Sequence, residues 1–103
     1  MIHCTRLAAA LMLALVASAH AQDAQLGRNI AATCANCHGT NGVAKGDTVK
    51  GLAGMPAERL VATLGAYKTG ALPATIMHQI AKGFSDDQIK LIAAYFAAQP
   101  AKP

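Results

Sequence analysis

The chain has 103 residues, with nine Lys or Arg against five Asp or Glu, and its formal net charge is +4. The basic residues are scattered singly and no aromatic side chains are interleaved with them, which argues against a nucleic-acid-binding surface. The length allows one domain at most, and a domain this small buries too little apolar surface to be stable without some form of staple.

The N-terminal segment has the three parts of a secretory signal peptide. Residues 1–6 are short and weakly basic, residues 7–17 are an uninterrupted apolar run, and residues 19–21 are Ala-His-Ala. The apolar run is about half of the ~20 residues that a transmembrane helix requires. We therefore expect a signal peptide at residues 1–21, cleavage after Ala21, export to the periplasm and no membrane span in the mature protein.

The mature chain, residues 22–103, is predicted to form one domain. Loss of Arg6 with the signal peptide leaves eight Lys or Arg against five Asp or Glu, which is a formal charge of +3. Loss of Cys4 leaves only Cys34 and Cys37. A charge this modest steers acidic partners rather than fixing them in place.

The first half of this domain is predicted to be one helix followed by a long loop. Leu26 and Ile30 recur at helical spacing over residues 24–33, and Asp23 can serve as the N-cap. Residues 39–54 contain five glycines and little periodic hydrophobicity, which indicates a loop. A loop of this length in a compact domain is typically wrapped around something, and a flat apolar cofactor would supply the surface.

Three further helices are predicted in the second half. The second helix starts at Pro56 and ends at Gly70, and the third covers residues 73–82. Ser85 and Gln88 form a capping-box pair at the start of the terminal helix. The apolar positions at helical spacing are Leu60, Val61, Leu64 and Tyr67, then Ile76, Ile80 and Ala81, then Ile89, Ile92, Ala93 and Phe96. No segment alternates apolar and polar residues over the length of a strand, so the domain is predicted to be all-α.

Residues 34–38, Cys-Ala-Asn-Cys-His, have the spacing of a covalent haem attachment site. Two residues between Cys34 and Cys37 set the sulfurs apart to match the porphyrin edge, so that both thiols can add across the vinyl groups. The adjacent His38 is then placed beneath the iron. Two other interpretations of this motif are a redox dithiol, which needs a thioredoxin-type βαβ context, and half of a zinc site, which needs a second pair of ligands. Neither context is present in the sequence.

The sixth iron ligand decides the class of function, because a second strong ligand closes the iron to small molecules and a vacancy opens it. Met55, Met77 and His78 are the candidates. Met55 follows His38 after only a glycine-rich loop, whereas a whole helix precedes Met77 and can carry the chain to the opposite haem face. Adjacent helical residues point about 100° apart, so Met77 and His78 cannot both face the iron. A methionine that merely fills the core is the alternative role for Met77.

Four sequence segments resemble class I bacterial cytochromes c, and together they extend over nearly all of the mature chain. They are CANCHG, GLAG, YKTG and MHQIAKGFSDDQIKLIAAYFAAQ. Within that class the chain resembles cytochrome subunits of flavocytochrome c sulfide dehydrogenase and cytochrome c4-like domains. The resemblance implies a small all-α fold around one covalent haem c. It also implies that Cys34 and Cys37 are the attachment sites, His38 the proximal ligand and Met77 the distal ligand.

Two residues depart from the pattern of that class. Lys50 stands where relatives usually have Pro, and Leu72 stands where many have Arg before the ligand Met. Without that Arg a haem propionate lacks a charged donor. The candidate replacements are Arg59, Lys50 and Lys68. Tyr67 could also reach a propionate, whereas Tyr95 is expected to pack where the first helix crosses the terminal helix at Gly27.

These expectations describe an electron-transfer protein rather than an enzyme in its own right. With His38 and Met77 both bound, the iron changes oxidation state with little rearrangement of its ligands. The expected partners are redox proteins, either those met by a free periplasmic shuttle or an FAD-containing sulfide dehydrogenase subunit. An open-site haem enzyme or gas sensor is the alternative if Met77 does not bind iron.

Overall fold

The computed structural model describes residues 20–101, and these residues form only helices, turns and loops. The α-helices of this part are α1 at residues 20–31, α2 at Ala35–His38, α3 at Ala57–Thr69, α4 at Met77–Lys82 and α5 at Asp86–Ala97. Short 3-10 turns occupy Ala32–Cys34 and Thr40–Gly42. The predicted all-α fold is confirmed.

The N-terminal helix starts earlier than predicted. Residues 20–23 are already helical, so Asp23 lies inside α1 and is not its N-cap. Ala21 and Gln22 are good helix formers, and nothing in their chemistry interrupts the helix at that point. The predicted signal peptide falls almost wholly on residues 1–19, outside the described residues. Between residues 20 and 101, no helix combines the length and the apolar character that crossing a membrane requires.

The terminal helix α5 supplies most of the core. Ser85 Oγ accepts a hydrogen bond from the Gln88 backbone N–H at 3.2 Å, and Gln88 Oε1 accepts one from the Ser85 N–H at 2.9 Å. The predicted capping box is therefore confirmed, and such a cap stabilises a helix by about 1 kcal/mol. All four apolar residues predicted for this helix are buried. The central core cluster consists of Ala31, Leu60, Ile92, Ala93 and Phe96.

Helix α1 crosses α5 so closely that only glycine fits at the contact. A Cβ on Gly27 would lie 2.9 Å from the carbonyl oxygen of Leu91. The buried face of α1 is therefore made of small residues, Gly27 and Ala31, which are about one helical turn apart. Ile30 is half-buried against the core, whereas Leu26 is 48% exposed. The predicted crossing at Gly27 is confirmed, and it is Gly27 rather than Leu26 that lies against α5.

Helix α3 has close to its predicted bounds. Pro56 is the residue immediately before the helix, and Gly70 ends it in the left-handed conformation with φ of 81°, which favours glycine. Leu60 is buried in the core, and Val61 and Leu64 pack against it while half-buried. This face anchors α3 against α5.

The segment between α3 and α4 departs most from the prediction. Residues 73–82 are predicted to be helical, but α4 begins only at Met77. The Leu72 N–H donates to the Ala66 carbonyl oxygen at 3.1 Å, so the chain is held against the end of α3 before it can start a new helix. Ile76, with φ of −138°, then acts as the N-cap of α4. The result is a helix of one and a half turns with non-helical chain before it.

The loop at residues 39–54 is folded back on itself and fastened to α5. The Gly42 carbonyl oxygen accepts a hydrogen bond from the Leu52 N–H at 2.8 Å, which closes the loop. The Gly54 N–H donates to the Phe96 carbonyl oxygen of α5 at 2.9 Å. These two bonds fix the conformation of the loop and its position relative to α5.

Candidate functional site

One cleft between the loop, α3 and α4 contains the predicted site residues. It has an outer cavity of about 640 Å³ and an inner cavity of about 200 Å³. The residues that line both cavities are Cys34, His38, Lys50, Tyr67 and Met77. The other large apolar side chains of the walls are Val49, Ile76, Ile80 and Phe84 outside, and Leu52, Met55, Leu60, Leu64, Ile92 and Phe96 inside. A cleft of this size and character suits a flat apolar cofactor.

The two cysteines and the histidine of the motif lie on one side of the helical chain. Cys34 ends a 3-10 turn, and Cys37 and His38 follow three and four residues later in α2. Burial raises the pKa of the half-buried Cys34 thiol, and a hydrogen bond with Thr33 lowers it in part. Cys37 is exposed at the mouth of the outer cavity. Both thiols are free, so a cofactor in the cleft can form bonds to both.

His38 ends α2 with its ring beside the loop. Its Nδ1 lies 2.6 Å from the carbonyl oxygen of Lys50. Because a carbonyl oxygen can only accept, Nδ1 bears the proton and Nε2 keeps a free lone pair. Histidines that bind metals have this arrangement, in which the other ring N–H donates to a carbonyl or carboxylate. Lys in place of the usual Pro at position 50 does not disturb it, since the acceptor is a backbone atom.

The three candidate sixth ligands occupy different places. Met77 is the first residue of α4, is half-buried and lines both cavities. Met55 lines only the inner cavity and packs against the core cluster. His78 lines neither cavity, and its buried Nδ1 finds no hydrogen-bond partner among the described residues. Among the three, Met77 is the residue that shares the whole cleft with His38.

Polar side chains on the walls can meet the charged edge of a cofactor. Arg59 lines the inner cavity, and Lys50 and Tyr67 line both. These three are still candidate partners for a propionate. Lys68 is not, because its Nζ donates to a backbone carbonyl oxygen at 2.7 Å and to Asp86 at 2.9 Å. Lys68 also lines neither cavity, so the structure does not place it to replace the missing Arg.

Tyr95 has the packing role that was expected for it. Its ring meets Phe96 edge-on, with ring centroids 5.3 Å apart. Its hydroxyl donates to Asn41 Oδ1 at the start of the loop. This bond fastens the loop to α5 at a second point, and the loop in turn presents the Lys50 carbonyl oxygen to His38.

The other two interpretations of the cysteine motif lack support in the described part of the chain. Residues 20–101 contain no strand, and so no βαβ unit of the thioredoxin type. The same residues contain no group of three or more His, Cys, Asp or Glu side chains that could bind a metal ion. The donor set of the cleft instead fits a cofactor that brings its own iron and needs two thiols and an axial histidine.

This combination of fold and site is that of a small c-type cytochrome. The family model for cytochrome c oxidase, cbb3-type, subunit III matches residues 21–96, and the chain belongs to this cytochrome c family. It accordingly carries covalently attached haem c. The resemblance to class I bacterial cytochromes c that the sequence segments suggest is confirmed.

Curated relatives show the same relationship. Cytochrome c-554(548) of Halomonas halodenitrificans is 37% identical over 82 residues, which cover 77% of this chain and 99% of the relative. The cytochrome subunit of sulfide dehydrogenase of Chlorobaculum tepidum is 34% identical over 70 residues, 68% of this chain and 63% of the relative. Cytochrome c4 of Pseudomonas aeruginosa is 36% identical over 90 residues, 86% of this chain and 45% of the relative. The chain thus spans nearly all of the first relative but less than two thirds of the other two.

The sequence does not reveal two contacts that shape the site. One is the Lys50 carbonyl oxygen that fixes the proton of His38, and the other is the bond from Lys68 to the Phe84 carbonyl oxygen. Both acceptors are backbone atoms, so no residue type marks them in advance. The glycine-rich composition of residues 39–54 is the one useful signal, because it predicts a loop that packs on a cofactor, and Val49 lines the cleft as that prediction requires.

Proposed function

We propose that the protein is a periplasmic one-electron carrier in which His38 and Met77 are the axial ligands of the haem iron. Cys34 and Cys37 form the two thioether bonds in this proposal. The observation that supports it most strongly is that His38 and Met77 both line the two cavities into which Cys34 also faces. Haem c supplies a one-electron iron couple when bound, and the chain supplies its ligands and surroundings.

His38 acts as a neutral donor whose orientation is fixed. The Lys50 carbonyl oxygen, 2.6 Å from Nδ1, keeps the proton on that nitrogen and leaves Nε2 for the iron. The hydrogen bond therefore fixes the tautomer of the ring. Its orientation is also maintained, because both the hydrogen bond and the neighbouring cysteine restrain it.

Met77 would be the second protein ligand of the iron and would tune its reduction potential. A thioether donor favours reduced iron and so raises the potential. An occupied sixth position also excludes oxygen and other small molecules, which suits a carrier. Ile80 and Phe84 line the outer cavity beside Met77 and help to keep water from this side of the cleft.

Export and the partner protein complete the proposal. Residues 1–21 act as a signal peptide with cleavage after Ala21, which the three-part pattern of that segment supports. The electron donor is an FAD-containing sulfide-oxidising subunit, and the similarity to a sulfide dehydrogenase cytochrome subunit supports this choice. The modest positive charge of the mature chain suits transient docking to an acidic face.

Substitution of each methionine tests the ligand assignment. Oxidised wild type should show the weak near-infrared band of sulfur-to-iron charge transfer. Met77→Ala should abolish the band and lower the reduction potential, while Met55→Ala should keep both. A band that survives Met77→Ala and disappears in Met55→Ala contradicts the assignment of Met77 but not the cytochrome function.

Two measurements test location and partner. N-terminal sequencing of the exported protein should start at Gln22. Copurification from the native source should recover a flavoprotein that reduces the haem when sulfide is added, and raising the salt concentration should weaken the complex. A salt-independent complex points to a permanent apolar subunit interface, and a donor without flavin contradicts the proposed partner.

A further inference from the structure

Met77 lies on a segment that follows α3 and is hydrogen-bonded to the end of α3 at both of its own ends. This Met77 segment, residues 70–84, starts where α3 ends and finishes just before the cap of α5. At its entry the Leu72 N–H donates to the Ala66 carbonyl oxygen at 3.1 Å. Within the segment only Ala81 is fully buried, and the backbone hydrogen bonds of α4 are local. Helix α4 packs against α3, and the hydrogen bonds at the two ends of the segment add to this packing in holding Met77 in place.

Lys68 binds the C-terminal end of the Met77 segment. Its Nζ donates to the Phe84 carbonyl oxygen at 2.7 Å and to Asp86 Oδ1 at 2.9 Å. The carbonyl bond is partly buried, whereas the Asp86 side chain is 85% exposed, so the carbonyl bond is the stronger restraint. Lys68 lies two residues after Ala66 in the last turn of α3. Both ends of the Met77 segment are thus tied to the same helical turn.

We propose that Lys68 is a positioning residue for the distal ligand, because its ammonium clamps the base of the Met77 segment and so keeps the Met77 sulfur on the iron. This inference rests on the proposed ligation by Met77. A segment tied at both ends has fewer conformations available than one that is free at its exit. Lys68 lines neither cavity of the cleft, so it acts on the iron only through the position of Met77.

Imidazole binding to the oxidised holoprotein tests whether Lys68 keeps Met77 on the iron. Imidazole can bind only when Met77 has left the iron, so its apparent affinity reports the fraction of molecules with an open site. Lys68→Met keeps a long side chain but removes both hydrogen bonds, and it should raise the apparent affinity about tenfold. Lys68→Arg keeps a charged donor and should stay within about twofold of wild type.

The chain offers two matched controls. Lys90 also pairs with an aspartate of α5, Asp87 at 3.2 Å, but this pair is exposed and does not touch the Met77 segment. Asp86→Asn removes the ion pair of Lys68 and leaves the bond to the Phe84 carbonyl oxygen. Lys90→Met and Asp86→Asn should both bind imidazole within about twofold of wild type. An affinity for Lys68→Met no higher than that of Lys90→Met overturns the clamp.

The Met77→Ala background separates the clamp from the proposed function. Met77→Ala alone should raise imidazole affinity, and adding Lys68→Met should then change nothing, because no ligand is left to position. An unchanged affinity in Met77→Ala overturns the Met77 ligation and this inference with it. A further rise in the double variant overturns the clamp alone, since Lys68 would then act on the cleft in general. If Lys68→Met does not fold, Lys68→Ala has the same expected result and the same contradiction.

Discussion

The His38 side and the Met77 side of the cleft are held in different ways. His38 is fixed by a 2.6 Å hydrogen bond to Lys50, on a loop that is fastened to α5 through the bond from Gly54 to Phe96. Met77 begins a six-residue helix that packs against α3, in a segment with a single fully buried residue and with both ends tied to the last turn of α3. His38 is thus held by a loop that is fastened to α5, whereas Met77 is held by a short helix on a largely exposed segment. Changes in ligation should therefore occur on the Met77 side.

The largest expected effect comes from a variant that loses the cofactor between the His38 side and the Met77 side of the cleft. Cys34→Ser/Cys37→Ser eliminates covalent attachment, and the glycine-rich loop and the Met77 segment then lose the surface on which they pack. A domain of this size has little core to spare, so the variant should not fold cooperatively. Far-ultraviolet circular dichroism during a urea titration checks this. A cooperative transition with native helix content in the haem-free variant would show that the two sides do not need the cofactor.

The next largest effect is expected from a variant that disturbs the core that supports the His38 side of the cleft. Gly27→Val places side-chain atoms against the Leu91 carbonyl oxygen, which a Cβ alone would already approach to 2.9 Å. We expect a loss of about 1–3 kcal/mol of stability, with the near-infrared band unchanged in the folded molecules. Thermal unfolding followed at the haem absorbance measures the loss.

A matched glycine serves as the control for this variant. A Cβ on Gly65, also in a helix, would meet nothing within 4 Å. Gly65→Ala should therefore stabilise the protein by about 0.5–1 kcal/mol. Equal melting temperatures for Gly27→Val and wild type would contradict the close crossing of α1 and α5.

The same positions show how far the sequence predicts the fold. The capping box and the apolar face of α5 are correctly predicted, because local hydrogen bonding and helical periodicity determine them. The helical spacing of Leu26 and Ile30 does not reveal that Leu26 is exposed and that Gly27 lies at the crossing, since the closeness of a helix crossing depends on the partner helix and not on hydrophobicity alone. The start of α4 is missed because the Leu72 N–H bonds to Ala66 instead of entering a helix.

The sequence likewise predicts some features of the site and misses others. The spacing of the cysteine motif predicts which residues face the cleft, and the structure brings Cys34, His38 and Met77 to its walls. The contacts of Lys50 and Lys68 are not predicted, because each involves a backbone carbonyl oxygen that only the tertiary fold brings into reach. Sequence reasoning therefore identifies the ligand candidates but not the groups that position them.

The smallest expected effect is a pH dependence on the Met77 side. The hydrogen bond from Lys68, followed by its charge, holds the pKa of Asp86 below the ordinary value. A lowered pKa means that Asp86 contributes stability above the ordinary carboxyl range and loses this contribution as the pH falls through the folded-state value. Asp86→Asn should melt slightly below wild type at neutral pH and converge with it as the pH falls below the folded-state pKa of Asp86. Melting curves that stay equally separated at the lowest pH would contradict this assignment.

Carbon monoxide binding to the reduced wild-type holoprotein tests the central claim most directly. In the proposed function Met77 would occupy the sixth position, so that the iron would exchange electrons without binding small molecules. At neutral pH the reduced wild type should form no carbon monoxide complex over minutes, whereas Met77→Ala should form one readily. Rapid binding of carbon monoxide by the wild type would contradict the electron-carrier function and favour an open-site haem enzyme or gas sensor.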